Sequence, residues 1–262
     1  MKRALLLVVL LAPVPTTVAQ EAQNNQRLPE ELAITRSVVM QDADELESTA
    51  SLHFFKLPDQ KLITAAAEFE YGLTDRWELD ADVPYEFIRP RNAHAVDGIG
   101  DVEAAVRYGI VPLGQQPFAV TAGLGVGVPT GDRSRDLGEG RLTLEPFFTA
   151  STWLGRFNAQ VNCGWQRAVT NGGDEPRDEF EYNIAILYPV DRCFLALEGN
   201  GVSTREATSY YVTPELIWKA TDDVQFVVAA PIGVTHESAD YGVVVSVTLE
   251  WEHVMHRSPD KD

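Results

Sequence analysis

Between Glu78 and Glu103 the chain gathers carboxylates at a spacing that can act on cations. Glu78, Asp80 and Asp82 stand at i, i+2 and i+4, and Glu86 follows in the same phase. In an extended strand that spacing puts every side chain on one face, about 7 Å apart per two-residue step. Asp101 and Glu103 continue the phase in the next candidate strand, which also carries Arg107, and Arg141 and Glu145 fall on a later one. So many carboxylates cannot all ionise cheaply in a narrow space unless Arg107, Arg141 or a mobile cation stands beside them. If this face lines a wet passage, its excess of acid favours cations. The candidate ion-pathway residues are therefore Glu78, Asp80, Asp82, Glu86, Asp101, Glu103, Arg107, Arg141 and Glu145.

Nucleophilic catalysis is the main rival chemistry. It needs Ser, His and Asp or Asn to meet in space. The five histidines are His53, His94, His236, His253 and His256. Only His53 falls on a candidate strand, where a serine could meet it, and the chain has no Gly-x-Ser-x-Gly elbow. The pair His253 and His256 has helical metal-ligand spacing but no further ligands, and reads as a solvated tail. The run Asn171 to Glu179 is rich in oxygen donors, does not match the calcium-loop motif, and reads as an acidic loop. The chain is thus read as a non-enzyme without cofactor or metal. A barrel hydrolase is one alternative. A structural or surface-interaction barrel, its lumen plugged by paired charges, is another.

The elements that must hold these residues are strands. After the polar turn Thr74-Asp75-Arg76, the residues Trp77, Leu79, Ala81, Val83 and Tyr85 alternate with the acids. A period of two with one oily and one wet face is a β-strand. About twelve such segments are expected, near 45–56, 60–73, 76–88, 99–111, 117–130, 139–153, 156–169, 179–190, 193–203, 207–219, 223–235 and 239–252. Tight connections such as Leu154-Gly155 alternate with longer polar ones such as Arg89 to Gly98, although Pro58-Asp59-Gln60 is short. Aromatics including Trp77, Tyr108, Phe157, Tyr188, Trp218 and Trp251 sit beside the tight turns. Phe87, Trp165, Phe180, Tyr182, Tyr210 and Tyr241 sit at the opposite ends. Trp153 and Phe194 break the alternation and take no face. A soluble barrel would also alternate. The aromatic positions, the asymmetry of the connections and strands of about 12 residues favour an antiparallel transmembrane β-barrel of about 12 strands.

Composition agrees with export. Lys2-Arg3, the apolar run Ala4 to Val14 and the small residues Thr17-Val18-Ala19 read as a signal peptide over 1–19. That apolar run is far below the ~20 residues of a spanning helix. Lys2 and Arg3 are the only charges in 1–19, so removing them takes the net charge from −18 to −20. Such acidity excludes a nucleic-acid partner, which needs a basic footprint. Residues 20–44 lack alternation and read as a periplasmic lead-in, 45–252 as the barrel, and 253–262 as a polar C-terminal tail. Cys163 and Cys193 fall two strands apart, too far for a disulfide.

Three phrases carry a family resemblance: Tyr71-Gly-Leu-Thr-Asp-Arg-Trp-Glu-Leu79, Gly98-Ile-Gly-Asp-Val-Glu-Ala-Ala-Val-Arg-Tyr108 and Gly123-Leu-Gly-Val-Gly-Val-Pro-Thr-Gly-Asp132. Together they resemble the outer-membrane barrel family associated with a meta-pathway of phenol degradation, described also as transporter-like. The resemblance implies passage of small molecules across the outer membrane, and it supplies no active-site residues. Expected partners are outer-membrane lipid, small-molecule or ionic solutes, and the barrel-insertion machinery. Many outer-membrane barrels end on an aromatic that this machinery reads. Here Trp251 is followed by a charged tail.

The protein should fractionate with outer membranes and change gel mobility on boiling. Recovery as a soluble periplasmic monomer would overturn this reading.

Overall fold

A computed structural model describes residues 28–170, 177–252 and 254. The expected signal peptide, most of the C-terminal tail with both of its histidines, and positions 171–176 of the acidic loop lie outside the described residues. The strands are β1 (Leu46–Lys56), β2 (Gln60–Thr74), β3 (Trp77–Pro90), β4 (Val96–Ile99), β5 (Val102–Val111), β6 (Phe118–Val128) and β7 (Thr143–Leu154). They continue as β8 (Phe157–Ala168), β9 (Asp178–Val190), β10 (Cys193–Thr204), β11 (Thr208–Lys219), β12 (Val224–Ala229), β13 (Ile232–Gly233) and β14 (Tyr241–Trp251). A short 3₁₀ turn, Arg133–Arg135, is the one helical element among the described residues.

These strands form twelve staves. β4 and β5 pair successive stretches of the same edge of β3, at Tyr85–Ile88 and Trp77–Asp82. β12 and β13 both lie between β11 and β14, separated by Ala230-Pro231. Proline has no N–H to give to the ladder, which is why the stave breaks there. β1 pairs β14 in register from Leu46↔Trp251 to Lys56↔Tyr241, and this closes the ring. Every pairing is antiparallel, as expected for the all-β class. Closure pairs the backbone groups that lipid could not satisfy and leaves no sheet edge.

The hairpins follow from local chemistry. Two-residue turns need positive φ at their first position. Gly155 at 65° and Asp191 at 54° supply it in the turns after β7 and β9. The connection expected to end near residue 139 extends further, because β7 begins at Thr143. Cys163 on β8 and Cys193 on β10 are free thiols with β9 between them.

The apolar faces point outward. Val161 is 42% exposed and Val228 53%, while their neighbours Gln160 and Val227 are buried. A soluble barrel would put the oily face inside, so this exterior fits lipid. Aromatic pairs ring both ends. At the tight-turn end Trp77 and Tyr108 stand 4.7 Å apart, and Phe157 and Tyr188 5.2 Å. At the other end Tyr85 and Phe87 stand 5.0 Å apart, and Phe180 and Tyr182 5.6 Å.

Two features depart from the expected layout. Trp153 and Phe194, which took no face, point inward and are 6% and 2% exposed. The lead-in expected at 20–44 is, over its described part, not a segment beside the barrel. Residues 28–41 run inside it. Their peptide groups meet inward side chains of the wall, and Leu32 and Ala33 join its buried cluster. Alternation cannot reveal such a segment, because an irregular chain has no period.

Val161→Arg and Val245→Arg should each destabilise the folded protein in vesicles by roughly 2–4 kcal/mol, since both fall near the middle of a lipid-facing strand. A neutral result at both would invert the face assignment.

Candidate functional site

The inserted segment forms a loop in the lumen. Both limbs point to the tight-turn end, where Leu28 and Val38 share one cluster with Ala119 and Trp153. The limbs touch where Ser37 Oγ donates to the Pro29 carbonyl at 3.3 Å. The apex, Ile34 to Arg36, reaches mid-barrel level beside Glu198 of β10 and Glu145 of β7.

Each limb is held by wall side chains chosen for its unpaired peptide groups. On the first limb, Gln225 accepts from Glu30 N–H at 3.0 Å and donates to the Glu31 carbonyl at 2.9 Å. Lys219 Nζ lies 2.7 Å from Glu30 Oε1. At the apex, Glu198 accepts from the amides of Ile34 and Thr35 and from the Thr35 hydroxyl. On the second limb, Gln160 accepts from Val38 N–H at 3.1 Å. Arg107 Nη2 donates to the carbonyls of Ser37 and Val39, both at 2.8 Å. Glu78 then accepts from Gln41 N–H.

Arg107 is the seat of the second limb. Its guanidinium is 1% exposed, with Nη1 2.7 Å from Glu78 and 3.1 Å from Glu70. One buried cation thus stands between two buried carboxylates and also binds two carbonyls of the loop. Gly72 lets the limb leave the lumen. A Cβ there would collide with the Asp42 carbonyl, and Gly72 exchanges backbone bonds with Asp44 and Glu45. Leu32 and Ala33 join Leu187, Phe194, Ile217 and Val244 of the wall in a second buried cluster, with Ile34 packed against it.

The loop divides the lumen. Beyond its apex lies a cavity of about 520 Å³, and on the tight-turn side another of about 610 Å³ lined by Met40, Asp42, Glu45 and Trp153. The wall of the first carries two cross-strand rows of acid. Glu68 pairs Asp82, which pairs Glu103; in the next row Glu70 pairs Asp80. Like charges directly opposite repel. Asp80 Oδ1 and Asp82 Oδ1 are buried and have no hydrogen-bond partner among the described residues. A third recess of about 600 Å³ lies under the connection 129–142.

The nine expected pathway residues therefore fall into three places. Glu78 and Arg107 are sealed in the loop's seat. Asp80, Asp82, Glu103 and Glu145 line the first cavity. Glu86, Asp101 and Arg141 line the recess, together with Asp82 and Glu103. Asp101 holds the connection by accepting from Gly131 N–H at 2.9 Å and Glu139 N–H at 2.7 Å, and Arg141 lies 3.0 Å from Glu139. His53 faces the lumen and lines the first cavity. Sequence reasoning missed the loop residues Thr35, Arg36 and Gln41 and the wall residues Gln160 and Gln225. The apolar triplets Leu32-Ala33-Ile34 and Val38-Val39-Met40, set in a polar segment, are a sign of them in the sequence.

Residues 89–250 match the family model described as "Putative MetA-pathway of phenol degradation". The chain belongs to this family. Its fold is also that of solved outer-membrane barrels. An outer-membrane channel from Pseudomonas putida F1 superposes with a TM-score of 0.63 at 13% identity, over 80% of this chain and 97% of that one. The NanC porin gives 0.54 at 12% identity, over 78% and 98%. The KdgM porin, solved in complex with disordered oligogalacturonate, gives 0.53 at 8%, over 78% and 98%. No curated protein sequence matches the chain. At these identities the likeness concerns the fold: a closed barrel of the outer-membrane, porin-like type.

Arg107→Met should destabilise the protein by about 3–5 kcal/mol, because it strands Glu70 and Glu78 without their counter-charge. Arg107→Lys keeps the charge but not the fork that spans both carboxylates and both carbonyls, and should fall between. Unfolding in micelles and protease sensitivity of residues 28–44 check this. Wild-type behaviour of Arg107→Met would remove the seat.

Proposed function

We propose that the protein is an outer-membrane channel for small molecules or ions, with a cation-favouring lumen whose passage is set by its own N-terminal loop. The observation that carries this reading is the placement of the loop. Two cavities of several hundred Å³ lie on either side of it, and a segment outside the strand ladder separates them. Strands locked in a closed ladder cannot part without losing backbone bonds in lipid. A loop held mainly by side chains can shift without breaking the ring.

The cation preference rests on the wall beyond the apex. Asp80, Asp82 and Glu103 face the cavity, with Glu68 and Glu145 beside them. Rings of acid select cations and oppose anions. The solved barrels of similar fold include a channel and porins, which agrees with a non-catalytic role. The family description, which names phenol degradation, agrees with small-molecule passage. A sealed structural barrel is the second reading. It is favoured by the loop's contacts with staves from β1 to β12, at Glu47, Glu78, Arg107, Gln160, Glu198 and Gln225.

In planar bilayers the wild type should carry a small cation-selective current, and deletion of 28–42 should enlarge it. Asp80→Asn, Asp82→Asn and Glu103→Gln together should reduce the selectivity. If correctly folded wild type and deletion variant both leave the bilayer sealed, the structural barrel stands and the channel is removed.

A further inference from the structure

The loop places a cation of its own in the acidic cavity, and the way that cation is held resembles a ligand site. The Arg36 guanidinium lies 3.8 Å from the centroid of the Phe147 ring. Its Nη2 is 3.5 Å from Glu145 Oε2. The Phe147 ring is fixed flat over Gly123, where a Cβ would strike it. A cation over an aromatic face with a carboxylate beside it is a recurrent way of recognising cationic ligands. The contact is not tight. The Arg36 side chain is 31% exposed within the lumen, and its Nη1 is buried without a hydrogen-bond partner among the described residues.

The rest of the cavity is acidic, with a separate apolar corner on β1, β2 and β11, across the lumen from β7. Among the described residues, eight carboxyl side chains line it against the single guanidinium of Arg36. Phe55, Leu62 and Tyr211 form an apolar corner of the same cavity. The Phe55 and Tyr211 rings meet edge to face at 6.1 Å. Tyr211 is held by accepting from Ala239 N–H at 2.9 Å, so the corner is preformed. About 520 Å³ lies in the range of small-molecule sites. An inorganic cation would use the acids and leave the aromatic surfaces idle. An anion would meet repulsion throughout.

We propose that the cavity binds a small aryl or alkyl cation, a guanidinium or an amine, at the place on Phe147 and Glu145 now held by Arg36. Arg36 is then a built-in competitor. A ligand that takes its place removes an anchor from the loop apex and favours withdrawal of the loop. This deepens the channel reading, which supplies the reason for such a site, but binding itself does not depend on conduction.

Isothermal titration of the folded protein in micelles tests it, with benzylguanidinium as probe and benzyl alcohol and benzoate as neutral and anionic controls. Wild type should bind benzylguanidinium and neither control. Arg36→Gln should bind it about tenfold more tightly, the scale of a lost cation–π and carboxylate competitor. Arg36→Lys, which keeps a competing cation, should stay closer to wild type. In the Arg36→Gln background, Glu145→Gln and Phe147→Leu should each weaken binding. Equal binding of benzyl alcohol, or no tightening in folded Arg36→Gln, overturns the proposal. If Arg36→Gln does not fold, the wild-type comparison of benzylguanidinium with benzyl alcohol decides alone. Bilayer currents on the same preparations separate the two readings. Current without binding removes the site and keeps the channel, and binding with a sealed bilayer keeps the site and removes the channel.

Discussion

An irregular peptide inside a lipid-embedded barrel has no ladder of its own, so its N–H and C=O groups must be paired by the wall. A set of long polar side chains on the inner surface answers that constraint. Glu198 takes the amides at the apex, Gln160 and Glu78 take those of the second limb, and Gln225 pairs both kinds of group on the first. Arg107 supplies the donors for two carbonyls. Each is a long side chain on an inward position of a different stave. The reach of these side chains lets a ring of strands hold a segment that never joins the sheet.

The same constraint explains the uneven charge of the lumen. Where the loop is seated, buried cations stand beside the acid: Arg107 with Glu70 and Glu78, Lys219 with Glu30. The Arg107 site is sealed, and removing one partner there would leave a buried charge uncompensated. Beyond the apex the acid is not matched. Glu68, Asp82 and Glu103 stand opposite one another across three staves with Arg36 as the nearby cation. Paired charge builds the seat, and unpaired charge builds a surface that acts on what enters.

The barrel was legible in the sequence because a strand with one lipid face and one wet face has a period of two. Trp77 to Tyr85 on one side and Glu78 to Glu86 on the other state it directly. Each expected strand has a stave in the structure, even where Pro231 or the stretch Gly100-Asp101 breaks it. The acids of the first cavity were legible as a set by the same alternation. Their division into seat, cavity wall and loop latch was not, because it depends on where residues 28–41 lie. Those residues carry no period, and their wall partners lie 6 to 195 positions away, most of them more than 28. Trp153 and Phe194 were the clue. A large aromatic out of phase with its strand must be buried against something inside, and here each shares a buried cluster with residues of the loop.

The loop is not held evenly along its length, and this decides which part yields first. Its limbs are anchored by groups almost free of solvent: Arg107 and Glu78 on one side, Gln225 at 2% exposed on the other. Local opening starts where buried apolar contacts are few and polar groups are wet. At the apex one flank fits that description and the other does not. Thr35 is buried and bound by Glu198, but Arg36 is about a third exposed, with one long ion pair and the Phe147 ring as its partners. If the loop opens as the proposed channel requires, Arg36 yields before Thr35. Because both limbs run to the tight-turn end, a shift of the apex toward that end would leave the closed ladder around it intact.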